Sequence, residues 1–358
     1  MEHAINRRNF LGSVSAFASA TALGSGITPE SGCFKAVLLH LGINYKAGCL
    51  PPDMDADKVL GHWAPATRLH YDQTLWRRLT ARMVENGCTA VVIDLNEAFA
   101  FPSHPELAVE GSWSVDELRA ELVRLRRLGL EPIPKLNFSA THDSWLKEYH
   151  RMVSTSVYYR VCADVIRDVT KVFDSPRFFH IGFDEETYNH QVGWGGQEFC
   201  VVRAGELWWH DLLWLVGEVE KNGSRAWMWS DRGWEHEDFV KRCPKSVLQS
   251  NWFYDEQASG FNLDAKDDYT RNCLRLYKDL DKAGFDQVPC GSNWSSGARK
   301  KKGIEVNDSF AGLVKFCREN ISRDHLKGFL MASWEDWTDK SFPSRTLAGI
   351  DMLKGVAK

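Results

Sequence analysis

Eight short apolar or β-branched runs recur along this chain, each followed by a longer stretch, and that alternation limits the fold more than any other feature. The runs cover residues 36–43, 89–95, 131–138, 178–183, 226–230, 247–253, 287–293 and 328–333. Stretches at 71–86, 115–128, 157–173, 206–222, 268–283, 309–320 and 343–356 carry apolar residues at helical spacing. Gly87, Gly129, Gly223 and Gly284 stand where helices of that length should stop. Parallel strands cannot be joined by a tight turn, so the alternation predicts a parallel sheet with helical crossovers. Eight such units occupy nearly all of residues 31–358, and no phosphate-cradling glycine loop follows the first run. An α/β chain of this kind is expected to close into a single-domain (β/α)8 TIM barrel rather than an open doubly wound sheet. Long inserts follow runs one, two, four and six, on the face where such barrels carry their sites.

Residues 1–30 read as an address rather than as fold. Asn6-Arg7-Arg8-Asn9-Phe10-Leu11 is a twin-arginine pattern, and residues 14–23 form a mildly apolar run too short to span a bilayer. Ala18-Ser19-Ala20 offers a small-residue cleavage site. The expectation is export by the twin-arginine machinery to a periplasmic or extracellular location, with no stable membrane insertion afterwards. Gly32-Cys33 ends like a lipid-attachment site, but Glu30 is acidic where an aliphatic residue is wanted.

A formal net charge of −4 gives no general attraction to nucleic acid or anionic lipid. The one basic cluster, residues 299–302, reads as a solvated loop. Nine cysteines are scattered without paired spacing, so most are expected to be buried and reduced, and nothing in the spacing implies a metal or another cofactor.

The ends of the runs carry the chemistry. In Phe179-His180-Ile181-Gly182-Phe183-Asp184-Glu185, strand alternation turns His180, Gly182 and Asp184 inward. Glu185 has the opposite parity and reaches the barrel mouth only if the backbone turns after Asp184. There, burial and the charge of Asp184 would favour its neutral form, as a general acid needs. Acid and aromatic residues recur at the same level: Trp229 and Asp231 at the end of run five, Trp252 and Tyr254 at the end of run six, Asn293 and Trp294 at the end of run seven, and Trp334, Glu335 and Asp336 at the end of run eight. With fifteen tryptophans in the chain, the repetition reads as a pocket lined with flat rings. Asn137 ends run three and His142 follows it, close enough to support a carboxylate on run four. Asn96-Glu97 offers a second, unspecific candidate acid, and His40 inside run one reads as a satisfied core histidine.

His180-x-Gly182-Phe183-Asp184-Glu185 resembles the strand-four signature of family-20 glycoside hydrolases, the β-N-acetylhexosaminidases. The 133–137 segment with His142, Trp229-Ser230-Asp231, the 247–252 segment and Trp334-Glu335-Asp336 resemble further segments of that family in the same order. The resemblance implies a carbohydrate substrate and a retaining mechanism in which the sugar's own 2-acetamido oxygen attacks the anomeric carbon. Glu185 would be the acid and then the base, and Asp184 would hold the acetamido group. His142 and Asn137 would support them, Trp229, Trp252 and Trp334 would wall the sugar site, and Glu335 or Asp336 would bind its hydroxyls. From their place at the strand ends, His180 is also expected to support the pair, and Asp231, Tyr254, Asn293 and Trp294 to bind sugar. The chain departs from the pattern at Phe183 for a glycine, Lys135 for a glutamate, Leu41-Gly42-Ile43-Asn44 where an arginine is usual, and Asn293-Trp294 where a Tyr-x-Asp is usual. The reading is therefore of a divergent, barrel-only relative. Two other readings stay open: a two-carboxylate glycosidase with Asp231 or Glu335 as nucleophile, and a non-catalytic glycan-binding barrel.

Overall fold

The computed structural model describes residues 34–45, 65–195 and 200–356. The twin-arginine pattern, the cleavage site and Gly32-Cys33 lie outside the described residues.

Eight strands form one parallel sheet: β1 (Phe34–His40), β2 (Ala90–Asp94), β3 (Glu131–Lys135), β4 (Phe178–His180), β5 (Arg225–Trp229), β6 (Leu248–Ser250), β7 (Cys290–Gly291) and β8 (Gly328–Ala332). Each strand pairs with its sequence neighbour from β1 to β6, and β8 joins β1 to β7. Isolated bridges from Gln249 to Gln287 and from Trp252 to Cys290 link β6 to β7 and close the barrel. β7 is short because Pro289 has no N–H to give the ladder, although its carbonyl still accepts from the Leu330 N–H at 2.9 Å.

The described helices are α1 (Gln73–Glu85), α2 (Val115–Arg127), α3 (Ser156–Val172), α4 (Tyr188–Gly195), α5 (Glu206–Lys221), α6 (Phe239–Arg242), α7 (Asp268–Lys282), α8 (Gly297–Lys301), α9 (Phe310–Asn320) and α10 (Phe342–Met352). Their starts are capped by side chains that the sequence places there. Asp72, Thr155 and Asp267 each accept an N–H of the first turn, and Ser114 with Glu117 makes a capping box on α2. The fifth crossover has a 3-10 turn at Asp231–Trp234 and the single α-helical turn of α6, and Gly233 lies so close to Leu276 of α7 that a Cβ would come within 2.6 Å of it. No helix among the described residues is long and apolar enough to cross a membrane.

Strand alternation splits the core in two. Ala36, Leu38, Val92, Ile133, Trp227, Leu248 and Leu330 fill the barrel, whereas Val37, Leu39, Val91, Ile93, Phe179, Met228 and Met331 pack outward on the helices. Small residues on β1, β2 and β8 (Ala36, Ala90, Ala332) face bulky rings from β4 and β5 (Phe178, Trp227, Trp229), which fills the interior. All seven cysteines among the described residues are free, and six are buried. One expectation holds only in part: Lys300, Lys301 and Lys302 of the basic cluster are exposed, but the segment is a short helix rather than a loop and the cluster's first residue is buried. Arg299 sits buried in α8, giving hydrogen bonds to the Asp255 carbonyl at 2.9 Å and to Asp308 at 3.1 Å.

Candidate active site

The decisive local feature is how strand four ends. Its ladder continues past His180, with the Ile181 N–H on the Trp227 carbonyl at 2.8 Å and the Trp229 N–H on the Gly182 carbonyl at 3.1 Å. Then the backbone turns: Gly182 (φ +67°), Phe183 (+73°) and Glu185 (+55°) are all left-handed. A Cβ at Gly182 would lie 2.1 Å from Asn137 Oδ1, so no other residue fits. The left-handed Phe183 and Glu185 each cost roughly 1–2 kcal/mol. They are held by contacts: the Phe183 N–H donates to Asn137 Oδ1 at 3.1 Å, and the Glu185 N–H donates to Asp231 Oδ2 at 2.9 Å.

This turn brings both carboxylates to one side. Asp184 is buried and accepts from Asn137 Nδ2 at 2.8 Å, and its carbonyl accepts from Ser139 Oγ at 2.5 Å. Glu185 is more open, with its carbonyl held by Thr141 Oγ1 at 2.7 Å and its Oε2 3.1 Å from His142 Nε2. His142 Nε2 also lies 3.6 Å from Asp184 Oδ2, and His190 Nε2 lies 3.6 Å from Glu185 Oε1. One ligand atom each from His142, Asp184 and Glu185 falls within 4.8 Å of the others, a set able to hold a metal ion although the sequence reading assigned none. Just beyond, burial and then the charges of Asp184 and Glu185 push the Asp231 carboxyl well above the ordinary range.

The tryptophans assemble the mouth. Trp229, Trp252 and Tyr254 belong to the interior cluster, and Trp294 and Trp334 pack partly buried against it. Trp334 lies 5.6 Å from Trp229 and 6.3 Å from Tyr254 between ring centres, and Trp252 stacks on Tyr254 at 5.1 Å. Asp336 is fully buried, with Oδ1 accepting from the Thr338 N–H at 2.8 Å and hydroxyl at 2.6 Å.

Several expected residues lie elsewhere. Asn293 gives its amide to the Arg345 carbonyl on α10 at 2.7 Å, and Glu335 pairs with the Arg345 guanidinium, so both face the helix layer on the outward parity of their strands. His180 stays inside the barrel, its Nδ1 accepting from the Gly182 N–H at 3.0 Å, and burial followed by Lys135 holds its pKa well below the usual value. It supports the turn rather than the carboxylates. Glu97 is turned back on strand one, where its carboxylate accepts from the Ile43 N–H at 2.6 Å and the Asn44 N–H at 3.1 Å. That brace accounts for Asn96-Glu97 without catalysis.

No family model and no curated protein matches the sequence. The fold is similar to solved structures: a β-N-acetylhexosaminidase from Bacteroides fragilis (TM-score 0.57, 12% identity, 89% of this chain and 65% of that one) and the N-acetyl-β-hexosaminidase of Streptomyces plicatus (0.56, 12%, 90% and 63%). Dispersin B is a third, at TM-score 0.54 and 13% identity over 80% of this chain and 95% of that one. The chain thus spans slightly under two thirds of the length of the first two, 65% and 63%. At these identities the likeness establishes the barrel and the order of its strands.

Sequence reasoning missed the groups that arrive from distant loops. His190 comes from α4, and Glu256, after β6, carries a carboxyl raised by burial and by Glu185 while accepting from the Tyr269 hydroxyl at 2.8 Å. Arg203, wholly buried, pairs with Glu186 and with Asp211 (2.6 Å), and Glu186 Oε1 also accepts from the Ala140 N–H at 2.8 Å. Only Glu186, beside the motif, left any mark in the sequence. Its partner could not be chosen among the arginines without the fold.

Proposed function

We propose that the protein is a glycoside hydrolase that removes β-linked 2-acetamido-2-deoxy sugars from glycans by a retaining, substrate-assisted route. The observation that carries the reading is the turn at 182–185, which sets Glu185 against His142 and leaves Asp184 oriented by Asn137 at a mouth lined by tryptophan. Glu185 gives its proton to the leaving oxygen while the sugar's acetamido oxygen closes on the anomeric carbon. Asp184 accepts the acetamido N–H and stabilises the positive charge that develops there. Glu185, now ionised, takes a proton from water as the water opens the cyclic intermediate. His142 holds the carboxylate of Glu185 in place through both steps. Aryl N-acetyl-β-glucosaminide and galactosaminide test this. Wild type should release the aryl alcohol and Glu185→Gln should lose about 10²–10⁴-fold in kcat; an inert wild type, or an equally active variant, removes the assignment.

The two-carboxylate alternative is disfavoured by the state of its candidates. Asp231 is driven toward the neutral form, a poor nucleophile, and Glu335 is turned to Arg345. Trapping with a 2-fluoro sugar separates the routes, because substrate assistance leaves no labelled carboxylate. We also propose that residues 1–30 direct twin-arginine export ahead of a 31–358 catalytic domain; replacing Arg7 and Arg8 by lysine should keep a fused reporter inside a twin-arginine-competent host.

A further inference from the structure

Directly beneath the mouth the barrel interior is polar, which an interior packed for stability alone does not need. His40, Asp94, Lys135 and His180 are register partners on four consecutive strands, β1 to β4, and all are buried. Lys135 Nζ lies 2.6 Å from Asp94 Oδ2, and His40 Nδ1 lies 3.0 Å from the same oxygen. Burial opposes the charge on Asp94, but Lys135 and His40 outweigh it and hold the carboxyl down at about 2. Asp94 is therefore a carboxylate, and its charge 3.0 Å from Nδ1 favours an imidazole turned with Nδ1 toward it and Nε2 elsewhere, although the angle at Nδ1 does not make a formed hydrogen bond.

That second nitrogen is the unexplained group. His40 Nε2 has no hydrogen-bond partner among the described residues, although the residue is only 3% exposed. A buried polar atom left unmatched in this way is costly, and such atoms in native structures call for a partner. The ring itself is clamped: it stacks on Tyr45 at 4.8 Å with 12° between planes, and Trp334 lies 6.0 Å away. Trp334 in turn touches Trp229, and the indole N–H groups of both are also buried without a partner among the described residues. Asp336, whose charge acts on Tyr45, has its Oδ2 in the same condition. Donors and acceptors left over where His40, Trp334 and Trp229 meet match one ligand chemistry, a ring that is flat on its faces and bears hydroxyls on its rim.

We propose that His40 is a sugar-binding residue that determines specificity at this mouth: its Nε2 pairs with a ring hydroxyl of the sugar held by Trp334, and Asp94 with Lys135 fixes the imidazole for that contact. A hydroxyl both donates and accepts, so it suits Nε2 whether that nitrogen carries a lone pair or a proton. The proposal rests on the reading that the mouth takes a sugar, but not on hydrolysis.

The test uses the full chain with His40→Phe, which keeps a flat ring between Tyr45 and Trp334 but removes both nitrogens, and His40→Gln, which keeps a polar end. Binding of N-acetylglucosamine is followed by tryptophan fluorescence, and kcat and KM are measured on aryl N-acetyl-β-glucosaminide. His40→Phe should weaken binding and raise KM about 10- to 100-fold with kcat within about threefold, and His40→Gln should recover part of the loss. If His40→Phe binds and turns over like wild type, even with a lower Tm, His40 is a purely structural residue and the proposal falls while the hydrolase reading stands. If wild type binds the sugar, turns nothing over, and loses binding in His40→Phe, the hydrolase reading falls and the proposal stands. Wild type that neither binds nor hydrolyses overturns both. If His40→Phe does not fold, His40→Leu, which also removes both nitrogens, decides: weakened sugar binding supports the proposal, and unchanged affinity and KM overturn it.

Discussion

At the scale of the residue, the site depends on backbone as much as on functional groups. Glu185 has the parity of a residue facing the helices, and it reaches the mouth because Gly182, Phe183 and Glu185 take left-handed φ values after the ladder ends. Gly182→Ala adds a Cβ 2.1 Å from Asn137 Oδ1 in a conformation that disfavours alanine. Urea unfolding should show a loss of at least about 2 kcal/mol and activity should fall with it, because Asn137 orients Asp184. Asp231 gives a pH prediction. Its folded pKa is raised by burial and by Asp184 and Glu185, so above the unfolded value of 3.8 the unfolded chain has released a proton that the folded chain retains. Stability attributable to Asp231 is thus intact at low pH and is lost as pH rises through that window. Asp231→Asn removes the penalty while keeping an acceptor for the Glu185 N–H, and thermal melts at pH 7 should place it a few degrees above wild type, with little difference at pH 3.

At the scale of the element, the long crossover after strand four is tied down by Arg203. This guanidinium bridges Glu186, next to the candidate acid, and Asp211 of α5, and it lies 4.8 Å over the Phe183 ring. Removing it strands two buried carboxyl groups. Arg203→Met should cost about 3–5 kcal/mol in chemical denaturation and lower kcat more than the stability loss alone explains at low temperature. Elements also explain where sequence reading stopped. Helical spacing and glycine stops placed α1, α2, α5 and α7 within two residues, because those signals are local. The fifth crossover carried no helical period, and the structure keeps only a 3-10 turn at Asp231–Trp234 and a single α-helical turn at Phe239–Arg242 there. Asn293 and Glu335 were grouped with the lining residues by position, yet side-chain direction follows parity and the neighbouring helix: both meet Arg345 on α10.

At the scale of the whole molecule, the barrel closes around a buried ion pair. Asp94 falls from 3.8 to about 2 because Lys135 and His40 outweigh its desolvation, so it adds stability above pH 3.8, about 2 kcal/mol at neutral pH, which is lost as pH falls through 2. Lys135→Met leaves Asp94 without its ammonium partner; it should cost about 3–5 kcal/mol at pH 7 and abolish that part of the acid transition, both readable by calorimetry across pH. The residue pattern by itself determined the eight-fold alternation, the parity that divides the interior from the helix layer, and the Asp184-Glu185 pair at the end of strand four, since these follow from local periodicity and chain order. It could not determine that the chain turns left-handed at 182–185, that His190 joins His142 beside Glu185, that Arg203 chooses Glu186, or that His40 keeps a nitrogen without a partner among the described residues. Those depend on which distant side chains the closed barrel brings within hydrogen-bond reach and out of water, and only the tertiary structure decides that.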